Sequence, residues 1–470
     1  MKTECTPVKI EFQTLGSRQV VGQFNGGEIT SDGGGLLLRE VENQLGIIDC
    51  FAECFTDFRD PDRIEHKVKE LLSQRIYGIA LGYEDLNDHD ELRGDPLLAV
   101  LSEKKDPTGS SRRCLRDKGK ALAGKSTLNR LELSSPEQLG KSYYKKIVNH
   151  PEKVDKLFVD KFLESYGKQP DCIILDIDAT DDPLHGNQEG KFFHGYYKSY
   201  CYLPLYIFCD DHLLCARLRP SNIDASKGTV EELERIIKHI RMTWPEVKII
   251  VRGDSGFCRE EIMFWCEDNR VDYVFGLAKN NRLKKIISEE LIEAQIDFTK
   301  TGRASRVYKD FFYQTLKSWS KSRRVVGKAE YLRKGANPRF VVTSISQDEI
   351  DADDLYENLY CARGEMENRI KEQQLYLFAD RTSTATIRAN QIRLYFSSIA
   401  YMLMSALRRL GLKGTEMAKS QCHTIRLKLL KIGAQIKITV RNVWISLSEG
   451  YPYKDLFNRV HTNLIKVAPS

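Results

Sequence analysis

Hydrophobic and polar positions fall into two textures along this chain of 470 residues. Through the first 150 residues, apolar positions recur at spacings of three and four, as on one face of a helix. The run from Leu36 to Leu45 (LLLREVENQL) shows this clearly, and it follows Ser31-Asp32-Gly-Gly-Gly35. A helix capped by Ser31 or Asp32 is therefore expected there. The triple glycine could cradle phosphate, but neither a GxGxxG run nor a Walker lysine accompanies it, so a plain helix entry is the reading. Residues 63–83 and 97–104 carry further helical patterns, and the stretch from Ser110 to Arg130 is basic and turn-rich.

From Asp171 the texture changes. Cys172-Ile-Ile-Leu-Asp-Ile-Asp178 is a short apolar run closing on carboxylates, which predicts a buried strand. Tyr202–Cys209 and Leu213–Leu218 predict two more strands, residues 228–242 an amphipathic helix, and Lys248–Asp254 a fourth strand. Residues 259–269 then read as a helix and Asp272–Leu277 as a fifth strand. Three strands, then helix, strand, helix, strand is a mixed α/β pattern, the order expected of a ribonuclease-H-like core. The predicted organisation is a helical region over 1–150, a core over 170–280 and 347–380, a β-rich basic insertion over 281–346, and a basic helical region over 381–470. No internal repeat is found.

Composition adds little until charge is resolved along the chain. A hydrophobic share of 41% and a charged share of 29% allow a sizeable core. The net charge is only +6, yet residues 301–340 hold 11 Lys and Arg against 2 acids, and residues 381–470 hold 15 against 3. Such asymmetry points to a polyanionic partner gripped at two places. The 12 cysteines include no CxxC pair, which suits free thiols in a reducing compartment better than a disulfide framework or a zinc site. Met1-Lys-Thr-Glu-Cys5 carries no apolar leader, and Leu394–Leu407 is too short to span a bilayer. A cytoplasmic protein, associated with the nucleoid and with no membrane partner, is expected.

The chemistry-bearing residues sit at the ends of predicted elements. Asp176 and Asp178 close the first strand and Asp254 closes the fourth. Ligands gather beyond the carboxyl ends of strands in open α/β sheets. Clustered carboxylates without a Cys–His set favour magnesium or manganese over zinc. Taken singly, each aspartate is equally a cap or a turn former. Further on, Tyr360, Arg363, Glu367 and Lys371 are spaced 3, 4 and 4, within one helical stripe about 80° wide. Glu365 and Glu372 lie off that stripe. Such a row is either a solvated face with a Glu–Lys pair or a metal-facing carboxylate flanked by phosphate-binding cations.

With these residues in order, the sequence resembles the DDE transposases of bacterial insertion sequences, the group 1 DDE domain with a Y-x2-R-x3-E signature. Tyr360-Cys-Ala-Arg363-Gly-Glu-Met-Glu367 matches that signature. Asp178-Ala-Thr180 matches the family's first D-x-T, and Arg252-Gly-Asp254-Ser-Gly-Phe257 its second-aspartate motif. The likeness extends over nearly the whole chain, including the Gly-Gly-Gly-Leu-Leu-Leu entry. It implies a catalytic, metal-binding triad of Asp178, Asp254 and Glu367, with Asp176 the substitute should Asp178 fail. It also implies two Mg2+ ions, for which Mn2+ would substitute, and DNA contacts from Tyr360, Arg363 and Lys371. The partner implied is double-stranded DNA, bound by a homodimer, with residues 1–150 recognising element ends. The reaction implied is strand cleavage at those ends and joining of the freed 3′-hydroxyls to target DNA. One departure stands out: the broader signature places a lysine where this chain has Gln374, and Lys371, one turn earlier, is expected to take its place. Two rival readings remain: a stand-alone metal nuclease of the same fold, and a DNA-binding protein whose chemistry has lapsed. His185 and His194 lack cysteine partners for zinc and are expected in a loop or at DNA. Tyr308, Phe311, Phe312, Tyr313 and Trp319 are expected mostly in a small core.

Overall fold

A computed structural model describes residues 9–467; Met1–Cys5, where a leader would stand, lies outside them. The chain divides into two units, one of Met1–Asn149, Tyr376–Phe378 and Ile399–Ser470, the other of His150–Leu375 and Ala379–Ser398.

The second unit is built on one mixed sheet. Its main strands are β1 (Cys172–Ala179), β2 (Leu205–Cys209), β3 (His212–Arg217), β4 (Lys248–Gly253), β5 (Asp272–Leu277), β6 (Ser305–Tyr313), β7 (Arg323–Leu332) and β8 (Arg339–Thr343), with the two-residue strand Gly335–Ala336 paired to the end of β7. They lie in the order β3-β2-β1-β4-β5-β8-β7-β6. β2 runs antiparallel to both β1 and β3, whereas β4 is parallel to both β1 and β5. The connections dictate this: a tight turn joins β2 to β3, the longer segment 180–204 carries the chain from β1 back into β2, and helices Thr229–Thr243 and Glu260–Asp268 provide the crossovers that parallel pairing needs. The predicted strand at Tyr202–Cys209 is split at Leu203-Pro204, since proline has no N–H for a ladder. Tyr202 instead ends a separate strand, Ser199–Tyr202, which joins a small sheet with Asp182–Pro183 and Phe192–His194.

Alternation along the strands sorts the two faces of the sheet. Ile173, Leu175 and Ile177 of β1 pack with Ile249, Val251, Tyr273 and Phe275 against Leu233, Ile236, Ile240 and Met263 of the two crossover helices. Ile174 lies on the opposite face with Ile250, Val274 and Val326, against Leu355 and Tyr356. Asp176 and Asp178 share the parity of Ile174 and so emerge on that second face. The helical stretch of residues 352–376 covers this face.

Residues 281–346 differ from the expected insertion. They open with helices Asn281–Ile286 and Ser288–Thr301, and β6, β7 and β8 extend the central sheet through β5. Their cations are also less available than the count suggests. Within residues 301–340, Arg306, Lys309, Lys321, Arg323, Arg324 and Lys328 each pair with a carboxylate, so six of the eleven cations there are engaged within the fold. Tyr313 and Trp319 are buried as expected, while Phe312 is exposed.

The first unit draws on both ends of the chain. Helices Leu36–Leu45, Val68–Leu81, Pro96–Leu101 and Lys125–Leu133 form its N-terminal part. The C-terminal region is helical only in part: the hairpin Ala434–Ile438 with Val443–Leu447 adds strand Glu28–Thr30 to make three strands. The glycine triple serves packing. A Cβ on Gly34 would stand 1.8 Å from the Leu429 carbonyl oxygen, a space only hydrogen can fill. Asp32 is no side-chain cap; its carboxylate accepts a hydrogen bond from Tyr83 Oη at 2.6 Å and pairs with Lys431 Nζ at 2.6 Å. Helix Ile387–Ala406 contributes Leu403 and Met404, both buried, to this unit, while its Leu394 and Phe396, also buried, belong to the second. Among the described residues, no helix is long and apolar enough to cross a membrane.

Candidate active site

The sheet register brings the first two aspartates together. β1 and β4 pair in parallel with Ile177 opposite Gly253, so Asp178 and Asp254 follow at one level on adjacent strands. Such strands lie about 4.8 Å apart. Each carboxylate is oriented by a backbone N–H: Asp178 Oδ1 accepts from Ala179 at 2.9 Å, and Asp254 Oδ1 from Gly256 at 2.8 Å. The third acid comes from the covering helix. Arg363 donates to Asp178 Oδ2 at 3.4 Å and to Glu367 Oε1 at 2.8 Å, so one guanidinium links the strand acid to the helix acid. Asp178, Asp254, Arg363, Glu367, Lys371 and Gln374 all line one open cleft of about 600 Å³.

The helix bearing these residues is irregular. It runs as a π-helical segment over Leu355–Tyr360, a 3-10 turn over Cys361–Arg363, an α-helix over Gly364–Lys371 and a second π segment over Glu372–Tyr376. Insertions of this kind re-aim side chains and recur at functional sites. They modify the uniform stripe expected from spacing: Arg363, Glu367 and Lys371 line the cleft, while Tyr360 packs against the sheet. An added Cβ on Gly276 of β5 would lie 2.5 Å from Tyr360 Oη. Gly276 is thus the gap that admits the tyrosine. Glu365 is exposed, and Glu372 is buried and pairs with Arg369. Gln374 donates to the Asp181 carbonyl oxygen at 2.9 Å.

Electrostatics separate Asp178 from Asp176, two residues away. Burial pushes the Asp178 carboxyl up to about 6; Arg363 opposes this, and Asp254 and Glu367 add to it. Arg363 feels the reverse: burial would lower it, but Asp178, Tyr360, Asp254 and Glu367 hold it above its ordinary value. Asp176 is also raised by burial, yet Arg252 grips it with two hydrogen bonds, at 2.5 and 2.7 Å. Arg252 also donates to the Leu359 carbonyl. Asp176 is therefore a clamp between β1, β4 and the covering helix, and it is absent from the cleft lining.

The all-oxygen donor set and its excess of negative charge suit a hard divalent cation. With Arg363 between two of the acids, no group of three or more His, Cys, Asp or Glu among the described residues is already gathered at metal-holding spacing. Binding a cation would require the guanidinium to give way.

The sequence reading missed Tyr196 and Tyr197, which line the same cleft with His194. Tyr197 Oη donates to the Ala179 carbonyl oxygen at 3.3 Å. The aromatic run Phe192-Phe193-His194-Gly-Tyr-Tyr197 was the available signal, but its position depends on a small sheet that local pattern does not disclose.

A family model described as transposase DDE domain group 1 matches residues 12–469. No curated protein matches the sequence. Among solved structures, the chain is similar to one in a cryo-EM structure of a piggyBac transposase synaptic complex with hairpin DNA. That likeness has 11% identity and a TM-score of 0.43 and covers 93% of this chain and 85% of the other. Since the family model takes in nearly its full length, the chain belongs to the group 1 DDE-domain transposases.

Proposed function

We propose that this transposase binds the ends of a bacterial insertion sequence as a homodimer, cuts them, and joins the 3′-hydroxyls to target DNA. Asp178, Asp254 and Glu367 are the catalytic acids and would hold two Mg2+ ions, or Mn2+ in their place. The strand order β3-β2-β1-β4-β5 supports a ribonuclease-H-like core for this chemistry. The observation that favours the reading most is one open cleft lined by all three acids, with Arg363 joining two of them. Bound ions would activate the attacking water or 3′-hydroxyl and neutralise charge on the leaving oxygen of an in-line displacement at phosphorus.

The chain's own groups have separable tasks. Asp178 and Asp254 are held on strand ends by backbone N–H donors. Glu367 is freer to adjust, since its side chain keeps 46% of its exposure. Arg363 neutralises Asp178 and Glu367 in the free protein. Released by DNA, its planar fork is suited to a phosphate beside the cut. Lys371 stands exposed at the cleft, where a cation meets the DNA backbone. Gln374 is engaged with the Asp181 carbonyl, so Lys371 takes the lysine's role in this reading.

The test is nicking and joining of a labelled duplex that carries an element end, in magnesium, beside a gel shift on the same duplex. Cutting with joining is expected of the native protein. Cutting alone would make it a nuclease, and binding alone a silent derivative. Glu367→Gln is expected to abolish cleavage while end binding stays nearly intact, because a neutral amide is a poor ligand for magnesium. Full nicking by that variant would remove Glu367 from the triad.

A further inference from the structure

A second cleft, of about 450 Å³, lies within the first unit. Its size falls in the range of small-ligand clefts, roughly 300–1,000 Å³. Helix Lys125–Leu133 supplies Arg130, and the segment leading into strand Ile147–Asn149 supplies Tyr143, Tyr144 and Lys146. The loop after strand Phe55–Asp57 closes the other side with Arg59, Arg63 and His66.

Two features point to a ligand. The first is charge. Arg59, Arg63, Arg130 and Lys146 face two acids, Asp60 and Glu65. Arg59 is held by Asp57 and Arg63 by Asp60, and Glu65 pairs outward with Arg112. Arg130 and Lys146 have no ion pair among the described residues; each is set over a tyrosine ring. Arg130 stands 4.3 Å from the centre of Tyr144 and Lys146 stands 5.8 Å from that of Tyr143. His66 contributes no charge at neutral pH: burial and then Lys104 and Arg112 lower it to about 3. The second feature is aromatic surface. Tyr143 and Tyr144 meet edge to face, 5.0 Å between centres, yet stay 65% and 59% exposed. Arg63 fixes Tyr143 through a hydrogen bond to its hydroxyl at 2.6 Å.

Cations alone would suit the backbone of a duplex. Two exposed rings in a concave site add a surface suited to an unstacked base, which a paired base in a duplex cannot reach. Each ring carries its cation against one face and stays more than half exposed, so a nucleotide can meet ring and cation side by side. We infer that this cleft is a DNA subsite for an unpaired nucleotide, with Arg130 and Lys146 taking its phosphate and Tyr143 and Tyr144 stacking on its base. The inference rests on the transposase reading only for the polymer being DNA. The site is distinct from the acidic cleft and shares none of its residues.

The experiment uses the full chain without divalent metal, so that no strand is cut. Fluorescence anisotropy follows a labelled ten-nucleotide thymidine strand and the same strand with abasic sugars at its centre. The base-bearing strand is expected to bind about 5- to 100-fold more tightly, the effect of stacking one or two bases. The Tyr143→Ala/Tyr144→Ala double variant should lose that preference, and Tyr144→Phe should keep it. Both rings are largely exposed, and an unchanged melting temperature of the double variant checks its fold. Equal binding of the two strands by the native protein would overturn the inference, since phosphate contacts alone would then suffice. So would an undiminished preference in the double variant. Magnesium-dependent nicking of the end-bearing duplex is read separately. Its absence would strike the transposase reading while leaving the base preference to decide this site.

Discussion

Asp176 and Asp178 differ by two positions on one strand and share one face, yet their surroundings assign them opposite effects on stability. Asp178 carries a raised carboxyl, at about 6, against an ordinary value of 3.8. The folded form therefore keeps a proton that the unfolded chain gives up. The stability this confers is present below about pH 4 and is lost as pH rises through about 6. In metal-free protein at pH 8, Asp178→Asn is expected to raise stability by about 1–3 kcal/mol, because each tenfold change in proton affinity corresponds to about 1.4 kcal/mol. At pH 4 it should change little. Its partner Arg363 keeps the hydrogen bond to Glu367, so no cation is stranded. Asp176→Asn should do the reverse. It would leave Arg252, itself buried, without its two-bond anion, at a cost of about 3 kcal/mol. Urea titrations of both variants at pH 4 and pH 8 measure this. A destabilised Asp178→Asn protein at pH 8 would count against excess negative charge in the cleft.

At the level of elements, Gly276 and the covering helix depend on each other. Gly276→Ala would put a methyl 2.5 Å from Tyr360 Oη and 3.0 Å from the Ser255 backbone nitrogen, so the tyrosine or the Asp254 turn must move. A displacement near 1 Å beside reacting groups costs about a hundredfold in rate, while overpacking costs about 1–3 kcal/mol in stability. Nicking rate and melting temperature on the same variant are the readouts; an unchanged rate would detach Tyr360 from the chemistry. Much of this architecture was legible beforehand, and for a local reason. Cys172–Ala179, Lys248–Gly253 and Asp272–Leu277 announce themselves as apolar runs, the first two leading into carboxylates, and the spacing from Arg363 to Lys371 announces a helix face. What stayed hidden depends on partners distant in sequence. Nothing in Arg339–Thr343 says that it pairs with Asp272–Leu277 rather than closing a separate insertion. Nothing in Ala434–Ile438 discloses Glu28–Thr30 as its neighbour. Nor could spacing tell Asp176 from Asp178, since the difference is the Arg252 guanidinium on the next strand.

For the molecule as a whole, charge arithmetic and charge availability diverge. Six of eleven cations in residues 301–340 are engaged by carboxylates, which leaves Arg303, Lys317, Arg333, Lys334 and Arg339, all exposed, for a polyanion. DNA affinity is expected to fall about a thousandfold between roughly 50 and 200 mM salt, as for a protein neutralising six or more phosphates. Replacing those five cations by alanine should flatten the salt slope without lowering the melting temperature. Replacing Arg323 or Arg324, each paired with buried or half-buried acids, should lower the melting temperature instead. A slope unaffected by the five would place the phosphate contacts elsewhere, foremost in residues 381–470. The three-stranded sheet of the first unit has a consequence of another kind. Its strand Glu28–Thr30 leaves the ribosome long before its partner Ala434–Ile438. Gly34 likewise waits for the Leu429 carbonyl. Glu28–Thr30 and Gly34 thus cannot reach their final setting until translation has passed Ile438, and a message cut short before that point would yield a chain with no properly assembled first unit.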